Sequence, residues 1–347
     1  MTAETALVAV TEVLDSYESP AWATAKPKAT VVVSSHNRAR FLDDLIDKLT
    51  DQRGIAFEVI IVDNASADET WQTLTNRCAT TPLPMTVLRV AFQPGPGIPR
   101  NTAITMARAE LIAITDDDCL PTSDWLATLV AGLEAGNVIV QGKTLPEPGG
   151  WGGPWGRTIL IDGPTLLYET ANFGVRREAF LAAGGFPREL ILTGRPFGED
   201  VVLGAAVARS GGFEFLPDAL MHHRVLPGRY RDFFWERRRL VGFPELLKRA
   251  PELQRYRYRR VFFGRRRAIT DVGLAGFAGA VVFSIVFNSP IPAVLLLAAL
   301  PWVRVTWREA LAHPGHRPLR VVQLMLADVL GAAALIVGSV RSRRWWL

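Results

Sequence analysis

The sequence predicts a doubly wound α/β domain with a mainly parallel sheet, followed by a C-terminal membrane helical region. Three observations predict it. Short β-branched apolar runs alternate with helix-period segments from Thr30 onward, polar and acidic residues gather just after those runs, and the last eighty residues carry long apolar stretches. A chain of 347 residues is long enough to bury a core without disulfides. Hydrophobic residues at 49%, charged residues at 21% and a mean hydropathy of +0.15 exclude a disordered or collagen-like chain and point to membrane contact. Cys78 and Cys119 are the only cysteines and make no CxxC pair, which excludes a disulfide framework or zinc ribbon and fits a reducing, cytosolic setting for the polar part.

Taken in order, the chain opens on residues 1–28, where Leu7, Val10, Val13 and Leu14 fall at helical spacing. This predicts an amphipathic helix over 3–16, with Pro20 and Pro27 marking a linker at 17–28. Glu4, Glu12 and Asp15, with no basic stretch, give this start none of the marks of a signal peptide.

From Thr30 the runs TVVVSS, FEVIIVD, MTVLRVA and ELIAITDDD are apolar almost throughout and are separated by helical segments. Such runs belong to strands of a parallel sheet covered on both faces. In these sheets ligands bind beyond the carboxyl ends of the strands. Those ends carry His36, Asn37 and Arg38, then Asp63 and Asn64, then Asp116, Asp117 and Asp118. Further on, the pattern predicts a helix over 124–136, a strand at NVIVQGKT, a Gly/Pro/Trp loop over 146–157, a strand around 168–175 and a helix at 177–183. A turn at Gly184 and Gly185, a loop to Gly198, a helix over 200–210 and a short strand GFEFLP follow.

The last part differs in kind. Residues 269–287 and 321–340 are each long and apolar enough to cross a hydrocarbon core of ~30 Å, and 290–303 is a shorter run interrupted by prolines and fit for a re-entrant segment. Arg265, Arg266 and Arg267 put the first flank in the cytosol by the positive-inside rule. The same rule, applied to the RSRR at 341–344, favours an even number of crossings. Formal charge is 39 − 34 = +5, yet residues 224–267 alone hold fourteen Arg and one Lys against four acids, or +11. Arginines interleaved with Phe, Tyr and Trp fit a nucleic-acid patch, a solvated helix face or a membrane-surface helix; the apolar span that follows directly selects the last, with anionic lipid as partner and no nucleic acid.

Several side chains are candidates for chemistry. Three clustered carboxylates at 116–118 repel one another unless a cation neutralises them, which suits a hard divalent ion bound with phosphate oxygens; an acidic solvated turn is the competing reading. Asp63 at a strand end is placed to accept hydrogen bonds from a base or ribose, while Ser66 and Asp68 suit capping of the next helix. Glu199 and Asp200 in FGED fit either a general base or a helix cap, and His222 or His223 either a ligand or a structural histidine.

The runs TVVVSSHNRARFLDDLIDKL, VIIVDNASADET, PGIPRNTAITMARAELIAITDDDC, ANFGVRREAFLAAGGFP, FGEDVVLGAAVARSGG and LPDALMHHRV resemble, in order over roughly residues 29–225, the family 2 glycosyltransferases of the GT-A fold. The resemblance implies a GT-A catalytic domain at 29–225, basic aromatic interfacial helices at 226–267 and transmembrane or re-entrant helices at 268–347. It implies a nucleotide-sugar donor, a UDP-sugar in the first place, held by Ser35, Asn37, Arg38, Asp63, Asn64, Arg100, Asp116 and Asp117. Asn101 completes the RN pair with Arg100. Asp116 and Asp118 correspond to the outer acids of the DxD motif, and with His223 they would bind Mg²⁺ or Mn²⁺. Asp200 corresponds to the catalytic base, supported by Glu199. Asn172 and Arg176 fall in the block that borders the acceptor. Arg237, Arg238 and Arg239 lie in a segment that in the family runs along the membrane, where they would hold the diphosphate of a lipid-linked acceptor.

The expected reaction is inverting transfer of one sugar per encounter to a lipid-linked or polysaccharide hydroxyl, at the cytosolic face of the cytoplasmic membrane. A metal-dependent nucleotidyl- or phosphotransferase, a non-catalytic membrane scaffold with a relic sugar-nucleotide fold, and a processive synthase are the competing expectations.

Overall fold

A computed structural model describes residues 8–24, 26–188, 191–192, 195–256, 258–259, 264–287, 296–311 and 317–345. The chain forms two compact units, Met1–Gly150 with Thr158–Val225, and Trp151–Arg157 with Leu226–Leu347.

The first unit begins with a departure from expectation. Instead of an amphipathic helix, the N-terminal region forms strand β1 (Val13–Glu18) and a 3₁₀ turn (Pro20–Thr24); residues 1–7 lie outside the described part. All six residues of β1 are exposed, so its position is set by backbone pairing with the sheet edge and not by an apolar face. The helical spacing of Val10, Val13 and Leu14 therefore had no buried stripe to report, and all three remain solvent-facing.

β2 (Ala29–Ser35), β3 (Phe57–Asn64), β4 (Met85–Val90) and β5 (Leu111–Asp116) lie parallel in the order β4-β3-β2-β5. Their side chains are buried on both faces, which is why the sequence runs are continuously apolar. Helices α1 (Ala39–Thr50), α2 (Thr70–Thr80) and α3 (Gly97–Met106) make the crossovers. α1 shows the amphipathic arrangement most clearly, with Phe41, Leu42, Leu45, Ile46 and Leu49 on its buried face.

Beyond β5 the sheet becomes mixed. β6 (Cys119–Pro121), α4 (Trp125–Glu134), β7 (Asn137–Pro146), β8 (Asn172–Arg176), α5 (Arg177–Ala182), α6 (Glu199–Ala208) and β11 (Gly212–His223) follow, with the two-residue strands β9 (Ile191–Leu192) and β10 (Arg195–Pro196) paired between α5 and α6. β8 runs antiparallel to both β5 and β7, and β11 runs parallel to β7. The complete order is β1-β4-β3-β2-β5-β8-β7-β11-β6. Where a short strand GFEFLP was expected, β11 continues for 12 residues to His223 and pairs with β6, carrying His223 opposite Cys119 beside the acidic triplet.

The second unit is helical: α7 (Tyr230–Glu236), a 3₁₀ segment (Arg237–Gly242), α8 (Phe243–Arg249), a further 3₁₀ segment (Pro251–Tyr256), α9 (Arg265–Phe287), α10 (Leu300–Leu311) and α11 (Arg317–Ser342). Two of these, α9 and α11, are long and apolar enough to cross a membrane. Only 17% of the most apolar window of α9 and 39% of that of α11 is buried within the protein, so most of this apolar surface faces outward. Of the expected run 290–303, residues 290–295 lie outside the described part, and α10 carries Arg304, Arg308 and Glu309. Gly273 of α9 abuts Trp302 while Arg266 bonds Glu309 at 2.8 Å, so α9 and α10 run antiparallel. Arg266 also bonds both oxygens of Asp328, at 2.8 and 2.9 Å, tying the start of α9 to the middle of α11.

Candidate active site

Register places the first elements of the site. Ser35 lies opposite Asp63 across β2 and β3, and Ser34 opposite Asp116 across β2 and β5, so three neighbouring parallel strands end at one level. There Ser35 Oγ donates to Asp117 Oδ2 at 2.7 Å. The next two residues build the rim: His36 Nδ1 bonds the Asn64 carbonyl at 2.7 Å, and Asn37, held at φ +54°, accepts from the Ala67 and Asp68 amides at 2.8 and 3.3 Å. Asn64 holds the adjacent loop, its amide bonding both backbone groups of Gln93 at 2.8 and 2.9 Å.

Asp63 is fully buried. Its Oδ1 accepts the Ser66 amide at 3.1 Å, whereas Oδ2, 3.6 Å from the Arg89 guanidinium, has no hydrogen bond. A buried carboxylate oxygen left over in this way is available to a donor group on a ligand.

The triplet divides into three environments. Asp116 is half-buried and paired with Arg100. Asp117 is buried, and that burial pushes its carboxyl up to about 7 against the pull of Arg38 and the Ser35 hydrogen bond. Asp118 is buried as well, which disfavours its charge, but the hydrogen bond and charge of His223, with Arg38, outweigh this and lower its pKa. Its Oδ1 lies 3.2 Å from His223 Nε2 and its Oδ2 3.1 Å from Arg38.

The ligand atoms of Asp116, Asp118, Cys119 and His223 all fall within 4.8 Å of one another. His223 Nδ1 donates to the Arg224 carbonyl at 2.8 Å and Nε2 donates to Asp118 Oδ1. Burial disfavours the charged ring, but the hydrogen bond and charge of Asp118 outweigh it and raise its pKa, and a cation bound in this cluster would take the place of the Nε2 proton. Two carboxylates and such an imidazole fit a hard divalent cation. Cys119 is wholly buried, its thiol directed at the Ala171 carbonyl 3.8 Å away and its pKa raised well above the ordinary value by burial, so it adds no thiolate to that set.

A second line of contacts leads from the triplet to Asp200. Arg100, only 2% exposed, bonds Asp116 with one terminal nitrogen and Thr170 Oγ1 with the other, at 2.8 Å. Thr170 in turn gives its hydroxyl and its amide to Asp200 Oδ2, at 3.2 and 3.4 Å. Asp200 Oδ1 is buried without a partner. Burial first, and the charge of Glu199 second, push the Asp200 carboxyl up to about 8. Gly198 precedes this pair at φ +72°, a left-handed turn that starts α6 with Glu199 and Asp200 in its first turn. No pattern in the sequence marked Thr170 or Arg89; both are seen only once distant segments are brought together.

Six residues that the motifs single out lie elsewhere in function or in space. Asn172 is buried with its amide fully used, accepting from Trp125 Nε1 at 2.8 Å and donating to the Lys143 and Ala219 carbonyls at 2.9 and 2.8 Å; it braces the sheet and presents nothing to an acceptor. Because β8 runs against β5, Arg176 pairs with Leu111 at the far end of β5 from Asp116, where its guanidinium bonds the Leu133 and Asn137 carbonyls at 2.6 and 3.1 Å. Asn101 bonds the Ala9 and Phe186 backbones and anchors α3. Arg237, Arg238 and Arg239 belong to the second unit, stacked on Phe233, stacked on Trp235 and paired with Glu236 respectively.

A mostly parallel sheet whose strands end at an acidic triplet, a histidine, an orphaned buried carboxylate oxygen and a buried aspartate is the architecture of a GT-A domain of the nucleotide-sugar transferase class. Residues 30–186, just under half of the chain, match the Glycosyl transferase family 2 model, and that stretch is a domain of this family. Among curated proteins, it is 25% identical over 179 residues to Glycosyltransferase AglE of Haloferax volcanii, covering 48% of this chain and 59% of that one. It is 28% identical over 124 residues to the GalNAc(5)-diNAcBac-PP-undecaprenol beta-1,3-glucosyltransferase of Campylobacter jejuni, covering 36% of this chain and 40% of that one. Both matches thus span less than two thirds of the relative. Among solved structures, the mannosyltransferase PcManGT from Pyrobaculum calidifontis, in complex with GDP-Man and Mn²⁺, shares the fold with a TM-score of 0.55 at 20% identity, over 94% of this chain and 89% of that one.

Proposed function

We propose that this protein is a membrane-anchored inverting glycosyltransferase that moves a sugar from a nucleotide-sugar, a UDP-sugar first among them, to a hydroxyl of a lipid-linked or polysaccharide acceptor. The observation that carries this reading is the line from Asp116 through Arg100 and Thr170 to Asp200, whose outer oxygen is buried and unpartnered. A carboxylate whose pKa is pushed up to about 8 is a stronger base than an exposed one, and its free oxygen is the one left to take a hydroxyl proton. Thr170 fixes the other oxygen and so holds the carboxyl plane. Asp63 would accept from the nucleotide base through Oδ2, and Arg100 and Arg38 would face the donor's negative charge. Asp116, Asp118 and His223 would hold a Mg²⁺ or Mn²⁺ ion, which when bound supplies positive charge to a departing nucleoside diphosphate.

The printed names of relatives support parts of this. The Campylobacter relative is named for an undecaprenol-linked acceptor, and PcManGT was solved with GDP-Man and Mn²⁺. Anchoring rests on α9 and α11, and the Arg265, Arg266 and Arg267 flank favours a cytosolic catalytic domain.

The test is donor turnover by detergent-solubilised full-length protein against UDP-, GDP- and dTDP-sugars, with and without Mn²⁺, beside Asp118→Ala. Metal-dependent release of a nucleoside diphosphate from one donor, lost in the variant, is expected. Release of pyrophosphate would instead identify a nucleotidyltransferase, and folded protein that binds no donor would sink the glycosyltransferase reading.

A further inference from the structure

Three arginines open α9, and they differ in their partners. Arg266 bonds Glu309 and Asp328, and Arg267 bonds Asp271. Arg265 is exposed and pairs with no carboxylate among the described residues. Arg259, in the segment before α9, is exposed as well; it has the ring of Tyr258 at 5.7 Å and no acid among the described residues. Both line one cavity of about 340 Å³, within the ~300–1,000 Å³ span of small-molecule sites. Two cations on the wall of one cavity repel each other, and no acid among the described residues shares that wall, so their charge is left for an anion to meet.

The rest of the wall is apolar. Ala268, Ile269 and Val272 follow Arg265 at three, four and seven residues, so one face of α9 passes from a cation to hydrocarbon within two turns. Ala298 and Pro301, at the start of α10, line the same cavity. Val272, Leu297 and Leu300 are each more than half exposed, so apolar surface continues past the cavity itself. The cation pair and the apolar wall therefore belong to one cavity, in the order in which a phospholipid carries its headgroup and its acyl chain. Guanidinium forks match phosphate oxygens in geometry as well as in charge. A free phosphate would leave Ile269, Val272 and Pro301 without a partner, and a lipid of no net charge would leave the arginine pair unneutralised.

We propose that this cavity binds an anionic phospholipid of the bilayer, its headgroup phosphate on Arg259 and Arg265 and one acyl chain along Ile269, Val272 and Pro301. The proposal rests on the reading of α9 as a lipid-facing helix and on nothing in the sugar-transfer reaction.

The experiment measures binding and thermal unfolding of detergent-purified full-length protein with phosphatidic acid, phosphatidylcholine or inorganic phosphate. Wild type is expected to bind phosphatidic acid and to unfold several degrees higher with it. Arg259→Gln with Arg265→Gln is expected to weaken that binding about tenfold or more, because two charge-assisted contacts are lost. Arg255→Gln removes an exposed charge from the same basic segment outside the cavity and should leave binding close to wild type. Val272→Trp, which fills the apolar end and keeps both arginines, should weaken binding as the double variant does. Equal binding of phosphatidylcholine, or undiminished binding in Val272→Trp, would overturn the proposal. So would Arg255→Gln matching the double variant, which is the outcome of diffuse charge in place of a site. Protection by inorganic phosphate as strong as by phosphatidic acid would overturn the lipid assignment. Flotation with purely neutral vesicles reads attachment through α9 separately: wild type that floats but lacks selective binding sinks the site and leaves the anchor, whereas wild type that does not float sinks both.

Discussion

At Asp200, burial and the Glu199 charge push the carboxyl up to about 8, so the folded protein keeps a proton there that the unfolded chain releases near the ordinary 3.8. Between those two values the native state binds more protons than the unfolded one, and stability falls as pH rises; above about 8 the deficit is constant. Asp200→Asn abolishes this loss, so its unfolding temperature relative to wild type is expected to climb from pH 4 to pH 8, as paired thermal melts would show. Rate runs the other way. As the proposed base, Asp200 must be ionised, so wild-type turnover should rise with pH and level off above about 8, while Asp200→Asn should lose ~10²–10⁴ in kcat. Thr170 sharpens the prediction, because its hydroxyl donates to Asp200 Oδ2 and favours the charged form. Thr170→Val is expected to move the midpoint of the pH–rate profile upward and to lower kcat, and Thr170→Ser to restore both. A midpoint unmoved by Thr170→Val would show that the threonine only fills space.

Among the elements, the turn at Gly198 links backbone to chemistry, since φ +72° there sets the start of α6 and with it the direction of Asp200. Gly198→Ala is expected to cost roughly 1–2 kcal/mol in unfolding free energy by denaturant titration, and to lower kcat more than donor affinity. The same scale shows which parts of the structure were legible. β2, β3 and β5 could be read because two covered faces demand unbroken apolar runs, and because acids at their carboxyl ends have no packing reason to be there. β1 was misread as helix because an exposed edge strand is held by backbone bonds, which leave no side-chain period. The direction of β8 was equally invisible, and with it the fact that Asn172 and Arg176 point their polar groups into the scaffold. Residues matched by motif alone carry no information about which end of a strand they occupy. Thr170 and the orphaned oxygens of Asp63 and Asp200 arise from long-range packing that no local pattern encodes.

For the whole molecule, the proposed membrane anchoring would rest on two forces with different salt dependence. Residues 224–267 carry an excess charge of +11, and attraction of such a segment to anionic lipid fades as salt shortens the screening length from ~8 Å at physiological strength to ~3 Å at 1 M. The apolar surface of α9 is indifferent to salt: Val282 and Ile285 are 60% and 76% exposed and gain by leaving water at any ionic strength. If α9 inserts, wild-type protein should remain on vesicles of mixed neutral and anionic lipid in 1 M salt. Phe277→Lys with Val281→Lys places charge on the exposed face near the middle of α9, where insertion costs about 2.5–3.5 kcal/mol per residue, leaving the basic segment to act alone. That double variant should bind anionic vesicles at low salt and be released at 1 M, and should ignore purely neutral vesicles. Flotation of both proteins across a salt series measures the two contributions separately. Release of wild type by salt would mean that α9 covers a protein surface instead of entering lipid, and that the arginines alone bring the chain to the membrane.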